Sequence, residues 1–309
     1  MDLPAEDALR WIVRTYARLR ATHGEAIGAP ALVQPTGAFF PDEFRVDAPS
    51  VNRLLRRMMG YAPLAEDLGV ELAFLEPAEG HAGGCGSLAC GTAGGGSGRA
   101  APLLQELDDG YRVFVSVTDV GNPDVLTTAL ARGVGALVLH EAGEEPGGPD
   151  EAAATSELAA VACGFGVLLA GGAAVWAKSC GGLRMAQATV LSVEELTVGL
   201  ALFLAVHGLR ASDARVHLGA TQREALDLAE AWAESNPLLV ESLRDRPEVL
   251  EGGAFTLEPV RGLLGRWLHK RKLDREMRAP GTPAASALSD DKRRRLEEAR
   301  ALVDEVLGD

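Results

Sequence analysis

The stretch that decides the fold of this chain is Leu130-Ala131-Arg132-Gly133-Val134-Gly135-Ala136-Leu137-Val138-Leu139. Apolar residues dominate it, which predicts the buried middle of a helix that runs from about residue 124 to residue 140. A turn and a strand over residues 111–118 come before this helix. An acidic loop rich in glycine and proline follows over 142–153, and then an apolar helix over about 155–177. This order predicts an α+β protein that is mostly helical and has a small β-sheet.

The flanking sequence adds further helices and one strand. Ser50 is expected to cap the first turn of one helix, and Ser192 with Glu195 has the spacing of a capping box at the start of another. Hydrophobic periodicity predicts helices over 5–23, 50–59, 192–207 and 219–235, and a strand over 70–75.

Changes in composition divide the chain into five segments. We expect N-terminal helices and a strand over 1–78, a glycine- and cysteine-rich loop over 79–101 and a core over 102–210. A helical extension over 211–278 follows, and a linker with a last helix occupies 279–309. The expected architecture is therefore a compact core with an added C-terminal helical region.

Composition restricts the partners and the compartment of the protein. The 309 residues carry a formal net charge of −14, and an acidic surface repels phosphate backbones, so a nucleic acid is not an expected partner. Four cysteines are too few for a disulfide scaffold in so long a chain. The acidic N-terminus lacks a basic and then apolar signal pattern. These features predict a cytoplasmic protein with reduced thiols.

One segment allows a different interpretation. Residues 158–177 contain no charged side chain and are long enough to cross a bilayer. Much of the segment is alanine and glycine, which gain little free energy from contact with lipid, and Glu157 and Lys178 enclose it closely. A buried core helix is the favoured interpretation, and an integral membrane protein is the alternative.

Three segments have the pattern of a known family. They are Gln34-Pro35-Thr36-Gly37-Ala38-Phe39-Phe40-Pro41-Asp42, then the run from Ala153 to Gly166, and Val190-Leu191-Ser192-Val193-Glu194-Glu195 with the apolar helix behind it. The family has L-P-T-x-x-F-F-P-D, then E-x-x-x-D before an apolar run, then Y-L-S-x-x-E. Over about residues 25–235 the chain resembles this family of uncharacterised bacterial zincin-like proteins, which is related in outline to gluzincin-type metallopeptidases.

The resemblance implies a zincin-like core in which every metal-binding position has changed. In such enzymes an H-E-x-x-H helix supplies two zinc ligands and a general base. Here Arg132 stands at the first histidine, Gly133 at the glutamate and Ala136 at the second histidine. Ala153 stands at the third-ligand glutamate, and Glu157 stands at the second-shell aspartate. We therefore expect no metal, no cofactor and no catalytic residue at these degenerate positions.

The implied function is that of a catalytically inactive metallopeptidase-like protein, a pseudoenzyme. It would bind another protein or act as a scaffold, and the small residues Gly133, Gly135 and Ala136 would leave a cleft for a peptide or side chain. In the other interpretation, the helix over 124–140 is an ordinary helix that never held a metal. Both interpretations predict no zinc-dependent proteolysis.

A relocated active site is the remaining enzymatic alternative. In His140-Glu141-Ala142-Gly143-Glu144 the first and last side chains would share one face if the helix continued, and could then bind a cation or support a hydrolase. The nearby glycines and proline instead indicate a helix end, where His140 would interact with the helix dipole.

Cys85 and Cys90 form a second group of residues that could bind a metal or form a disulfide. Their C-x4-C spacing lies in a glycine-rich loop behind His81, and it differs from the C-x2-C spacing of zinc knuckles. A labile disulfide, a partial metal site and two ordinary thiols are all compatible with this pattern.

Overall fold

The computed structural model describes residues 2–27, 30–76, 103–144, 148–179 and 182–260. All described residues belong to one compact unit, Met1–Gly262. Cys85, Cys90, Cys180 and the predicted final helix lie outside the described residues.

Helices form most of the described part of this unit, in agreement with the α+β prediction. Their bounds are α1 Glu6–Ile27, α2 Ala48–Met59, α3 Pro123–Glu141, α4 Pro149–Ala160, α5 Gly166–Gly172, α6 Val193–His207, α7 Ala211–Arg215, α8 Ala220–Ser235, α9 Pro237–Asp245 and α10 Glu248–Glu251.

The β-structure consists of a three-stranded sheet and a separate hairpin. The sheet has the order β1-β3-β2 and contains β1 (Val70–Leu75), β2 (Leu104–Leu107) and β3 (Gly110–Ser116). The central strand β3 pairs in parallel with β1 and antiparallel with β2. Strands β4 (Val175–Ser179) and β5 (Gly182–Ala186) form the antiparallel hairpin. The sequence analysis predicts β1 and β3 but misses β2 and the hairpin.

The core lies between the three-stranded sheet and the helices. Val113 and Val115 alternate as buried residues of β3, and α3 packs against this strand. The apolar α6 is buried between neighbouring helices, with Phe203 fully enclosed, and it packs mainly against α8. The predicted capping box is present, since Ser192 accepts a hydrogen bond from the Glu195 backbone amide and Glu195 accepts one from that of Ser192.

The apolar segment after α4 bends at a single glycine. A wider π-type turn, Val161–Phe165, separates α4 from α5, and within it Gly164 has a φ of 95°. The Gly164 carbonyl accepts a hydrogen bond from the Val33 amide at 3.0 Å, and a Cβ on Gly164 would lie 2.0 Å from the Ala31 carbonyl oxygen. Glycine is therefore required here both for the left-handed backbone and for the close approach of the crossing chain.

Two expected helix boundaries need correction. The N-cap of α2 is Asp47, whose side chain accepts the Ser50 amide at 2.8 Å, so Ser50 lies in the first turn instead. The predicted helix over 155–177 begins earlier, bends at Gly164 and ends at Gly172. The last residues of the proposed membrane segment 158–177 therefore belong to β4.

One helical run has the length and composition of a membrane span. Within Pro149–Gly172, the most apolar window of 18 residues has a mean hydropathy of 1.7, and 94% of that window is buried inside the protein. Core helices of soluble proteins commonly show the same features, so the run is weak evidence for a membrane protein.

Candidate functional site

Helices α3 and α4 bring together two of the five positions that the resemblance singles out. The helices lie very close at Gly135, where a Cβ would be 2.0 Å from the Ser156 carbonyl oxygen and 3.0 Å from the Ala160 amide nitrogen. This approach places Arg132 of α3 beside Glu157 of α4, with Arg132 Nε 2.8 Å from Glu157 Oε1. This contact is an ion pair that joins the two helices.

Glu157 is completely buried and both of its carboxylate oxygens have partners. Oε1 accepts a hydrogen bond from the Val190 amide at 2.7 Å, and Oε2 accepts one from the Leu191 amide at 2.9 Å. The Arg132 guanidinium also donates to the Ala188 carbonyl oxygen at 3.3 Å. The ion pair therefore connects α3 and α4 to the turn that leads into α6.

Burial and the nearby charge of Arg132 have opposing effects on the pKa of Glu157. Burial raises the pKa of Glu157 above its usual value, while Arg132 and the two amides stabilise the ionised form and oppose that increase. Asp119 lies in the same electrostatic environment, since burial raises its pKa and the Arg132 charge opposes the change. The sequence analysis misses Asp119 as a neighbour of this pair because it lies in the turn before α3 and shares no motif with Arg132.

The other degenerate positions provide no ligand atom. Gly133, Ala136 and Ala153 are buried and carry no side-chain oxygen, nitrogen or sulfur. The one acidic group, Glu157, already has its oxygens engaged by Arg132 and two amides. These residue types do not fit a zinc ion, which needs several nitrogen, oxygen or thiolate ligands around it.

The cleft expected beside the small residues is not formed, and this prediction is wrong. The space next to Gly133 is filled by Val113, since a Cβ on Gly133 would lie 2.8 Å from Val113 Cγ1. The space next to Gly135 is filled by the α4 backbone, and Ala136 is buried. Small residues at these positions allow close packing of α3 and leave no room for a peptide.

His140 and Glu144 do not form the relocated site considered above. Two hydrogen bonds end α3 between them: the Gly143 amide donates to the His140 carbonyl, and the Glu144 amide donates to the Leu139 carbonyl. The His140 ring then contacts the Tyr111 ring at 5.8 Å between centroids. The Glu144 carboxylate instead pairs with Arg18 of α1 at 3.3 Å.

Among the described residues, no three histidine, cysteine, aspartate or glutamate side chains lie close enough together to share a metal ion. Cys163, which the structure does describe, has a fully buried thiol, and burial raises its pKa to about 12. Such a thiol is a poor nucleophile at neutral pH. Cys85 and Cys90 lie outside the described residues, so a disulfide, a partial metal site and two ordinary thiols all stay predictions for them.

A second group of titratable side chains lies between α1 and α6. Tyr16 is fully buried, and its hydroxyl, Arg20 Nε and His207 Nε2 have no hydrogen-bond partner among the described residues. Burial lowers the pKa of His207 to about 4, and the charges of Arg20 and Arg244 contribute to the decrease. The ring of His207 packs against Phe203 at 4.8 Å between centroids. His207 is thus held neutral in the folded protein.

The low pKa of His207 predicts that the folded protein loses stability in acid. As the pH falls from 6.5 towards 4, the unfolded chain binds a proton at His207 and the folded chain does not, so the free energy of unfolding decreases. The expected decrease between pH 7 and 4.5 is about 1–2 kcal/mol, after allowance for the solvent exposure of the ring. Urea unfolding of the wild type and of His207→Gln should show a smaller pH dependence in the variant. Equal pH dependence in both proteins would show that His207 makes no such contribution.

No protein-family model, curated protein or solved structure matches this chain. A functional proposal therefore depends on the chemistry and geometry of its own residues.

Proposed function

We propose that this protein is a non-catalytic, zincin-like module that acts by binding another protein. The observation that carries the proposal is the buried ion pair of Arg132 and Glu157 at positions that a metallopeptidase would use for its metal centre. The resemblance matches these two residues to the first zinc ligand and to a second-shell acid, and in the fold they are in contact. Their contact supports the proposed correspondence with a zincin core.

The residue types at this location do not support hydrolysis. Zinc peptidases need a metal to lower the pKa of water and a carboxylate to accept its proton. Arg132 places a positive charge where the cation would bind, and Gly133 has no side chain at the position of the general base. A protein with this core therefore acts through its surface and not through this buried location.

The surface of the described unit offers apolar side chains for such an interaction. Leu238 on α9 is 56% exposed and Val249 on α10 is 57% exposed, and these two helices contact each other. Apolar groups that remain in contact with water favour burial against a partner. We place the protein-binding surface on these two helices.

Two assays on the full-length protein test the proposal. The first measures cleavage of casein and of a mixed peptide library, with added zinc and with a chelator. We expect no cleavage above buffer under either condition. Chelator-sensitive cleavage would contradict the non-catalytic half of the proposal.

The second assay tests binding in the cells that naturally make the protein. We expect a stoichiometric protein partner to co-purify with the wild type, and the combined changes Leu238→Asp and Val249→Asp to release it. The matched control combines Val46→Asp with Val216→Asp, which adds the same two negative charges at side chains that are 73% and 75% exposed. Equal retention by both variants would place the partner elsewhere, and a wild type that purifies alone would contradict the binding function.

A further inference from the structure

A cavity of about 350 Å³ lies between the chain segment 35–44 and the first turns of α2 and α3. Its volume lies within the range of small-molecule binding sites. Most of its surface is apolar and is contributed by Pro35, Phe40, Phe44, Leu54, Pro123 and Leu126. No step of the proposed protein-binding function uses this cavity.

The wall formed by segment 35–44 is held in place by several polar contacts. The Tyr61 hydroxyl donates to the Phe39 carbonyl oxygen at 2.9 Å, and the two rings meet edge to face. The Gln34 side chain donates to the Asp213 carbonyl oxygen at 3.1 Å. A wall fixed at its start and in its middle gives a preformed cavity, which reduces the entropy lost when a ligand binds.

The acidic side chains at the cavity already have basic partners. Asp42 pairs with Arg57 at 2.6 Å, and this contact lowers the pKa of Asp42 below its usual value. Glu43 pairs with Arg45 at 3.3 Å. Because each of these carboxylates is already paired with an arginine, neither carboxylate favours the binding of a cationic ligand.

Arg53 is the basic side chain in the lining of this cavity. Its guanidinium donates to the Ser50 hydroxyl at 2.8 Å, and its charge helps to lower the pKa values of Asp42 and Asp47. Within the described ranges no carboxylate lies within ion-pair distance of it. Ser50 and Arg53 belong to the first two turns of α2, and the first turn of α3 forms another part of the wall.

We propose that this cavity binds a small organic acid with an apolar body. The apolar body would pack between Phe40, Phe44 and Leu54, and its carboxylate would pair with Arg53. A guanidinium suits this task because it can donate two hydrogen bonds to one carboxylate. The cavity thus selects its ligand by apolar contact and by a single negative charge.

Isothermal titration calorimetry on the full-length protein tests this ligand class. The three probes share one alkyl chain and differ in head group: decanoate, 1-decanol and decyltrimethylammonium. We expect decanoate to bind about tenfold or more tightly than the other two, because a hydrogen-bonded ion pair is worth about one order of magnitude in affinity. Arg53→Gln should reduce decanoate affinity by a similar factor and leave decanol affinity unchanged.

The matched control is Arg246→Gln. It removes the same charge from an exposed side chain at the end of α9, outside the cavity lining. We expect this variant to bind decanoate like the wild type, and circular dichroism should show that both variants are folded. Absence of decanoate binding, equal affinity for all three probes, or equal losses in the two variants would each overturn the proposal. None of these results bears on peptidase activity or on the protein partner.

Discussion

Replacing Glu157 with alanine is expected to lower the free energy of unfolding by about 3–5 kcal/mol, the range found when one partner of a buried ion pair is removed. The Arg132 side chain, which is 16% exposed, would lose its counter-ion inside the protein. The amides of Val190 and Leu191 would also lose their acceptor. Urea unfolding followed by circular dichroism at pH 7 measures this change.

Two further variants identify the cause of that destabilisation. The double variant Arg132→Met with Glu157→Leu removes both charges, so it should be more stable than Glu157→Ala alone. The surface control is Glu71→Ala, which breaks the exposed pair with Arg112 and should change stability by less than about 1 kcal/mol. Equal stability of wild type and Glu157→Ala would show that the pair does not hold α3 against α4.

Replacing Gly135 with alanine is the second change with a large expected effect. The new Cβ would lie 2.0 Å from the Ser156 carbonyl oxygen, so α3 and α4 would have to separate. Backbone atoms form the obstacle, and they move less easily than the end of a flexible side chain. We expect a loss of about 3 kcal/mol in the free energy of unfolding, the upper part of the range for overpacked cores.

The matched control for this change is Gly171→Ala in α5. A Cβ on Gly171 would have no heavy atom within 4 Å. Alanine stabilises a helix relative to glycine, so this variant should be more stable than the wild type by about 0.5–1 kcal/mol. The same urea experiment measures both variants. Similar effects of the two substitutions would show that close packing of α3 against α4 is not the reason why residue 135 is a glycine.

Elements with strong local signals were predictable from the sequence. The capping box Ser192–Glu195 identifies the start of α6, and the alternating pattern over Val70–Leu75 gives the bounds of β1. The long apolar stretch around Arg132 predicts the buried α3. In each case neighbouring residues along the chain determine the local structure.

Features that depend on distant residues were not predictable in this way. The bend at Gly164 exists because the chain around Ala31 and Val33 crosses the helix there, and nothing beside Gly164 in the sequence indicates that crossing. The amides of Val190 and Leu191 carry no side-chain signal for their role in binding Glu157. The sequence analysis took small residues as a sign of an open cleft, whereas Gly133 and Gly135 serve close packing of helices.

Zinc content is the most direct test of the proposal that α3 and α4 form a metal-free core. The full-length protein would be incubated with zinc, freed of excess metal by gel filtration and measured by elemental mass spectrometry. A Cys85→Ser, Cys90→Ser variant treated in parallel excludes zinc held by those thiols. The predicted result is zinc far below one ion per chain in this variant, unchanged when Glu157→Gln is added. One zinc ion per chain that survives the cysteine changes and disappears with Glu157→Gln would contradict the proposal.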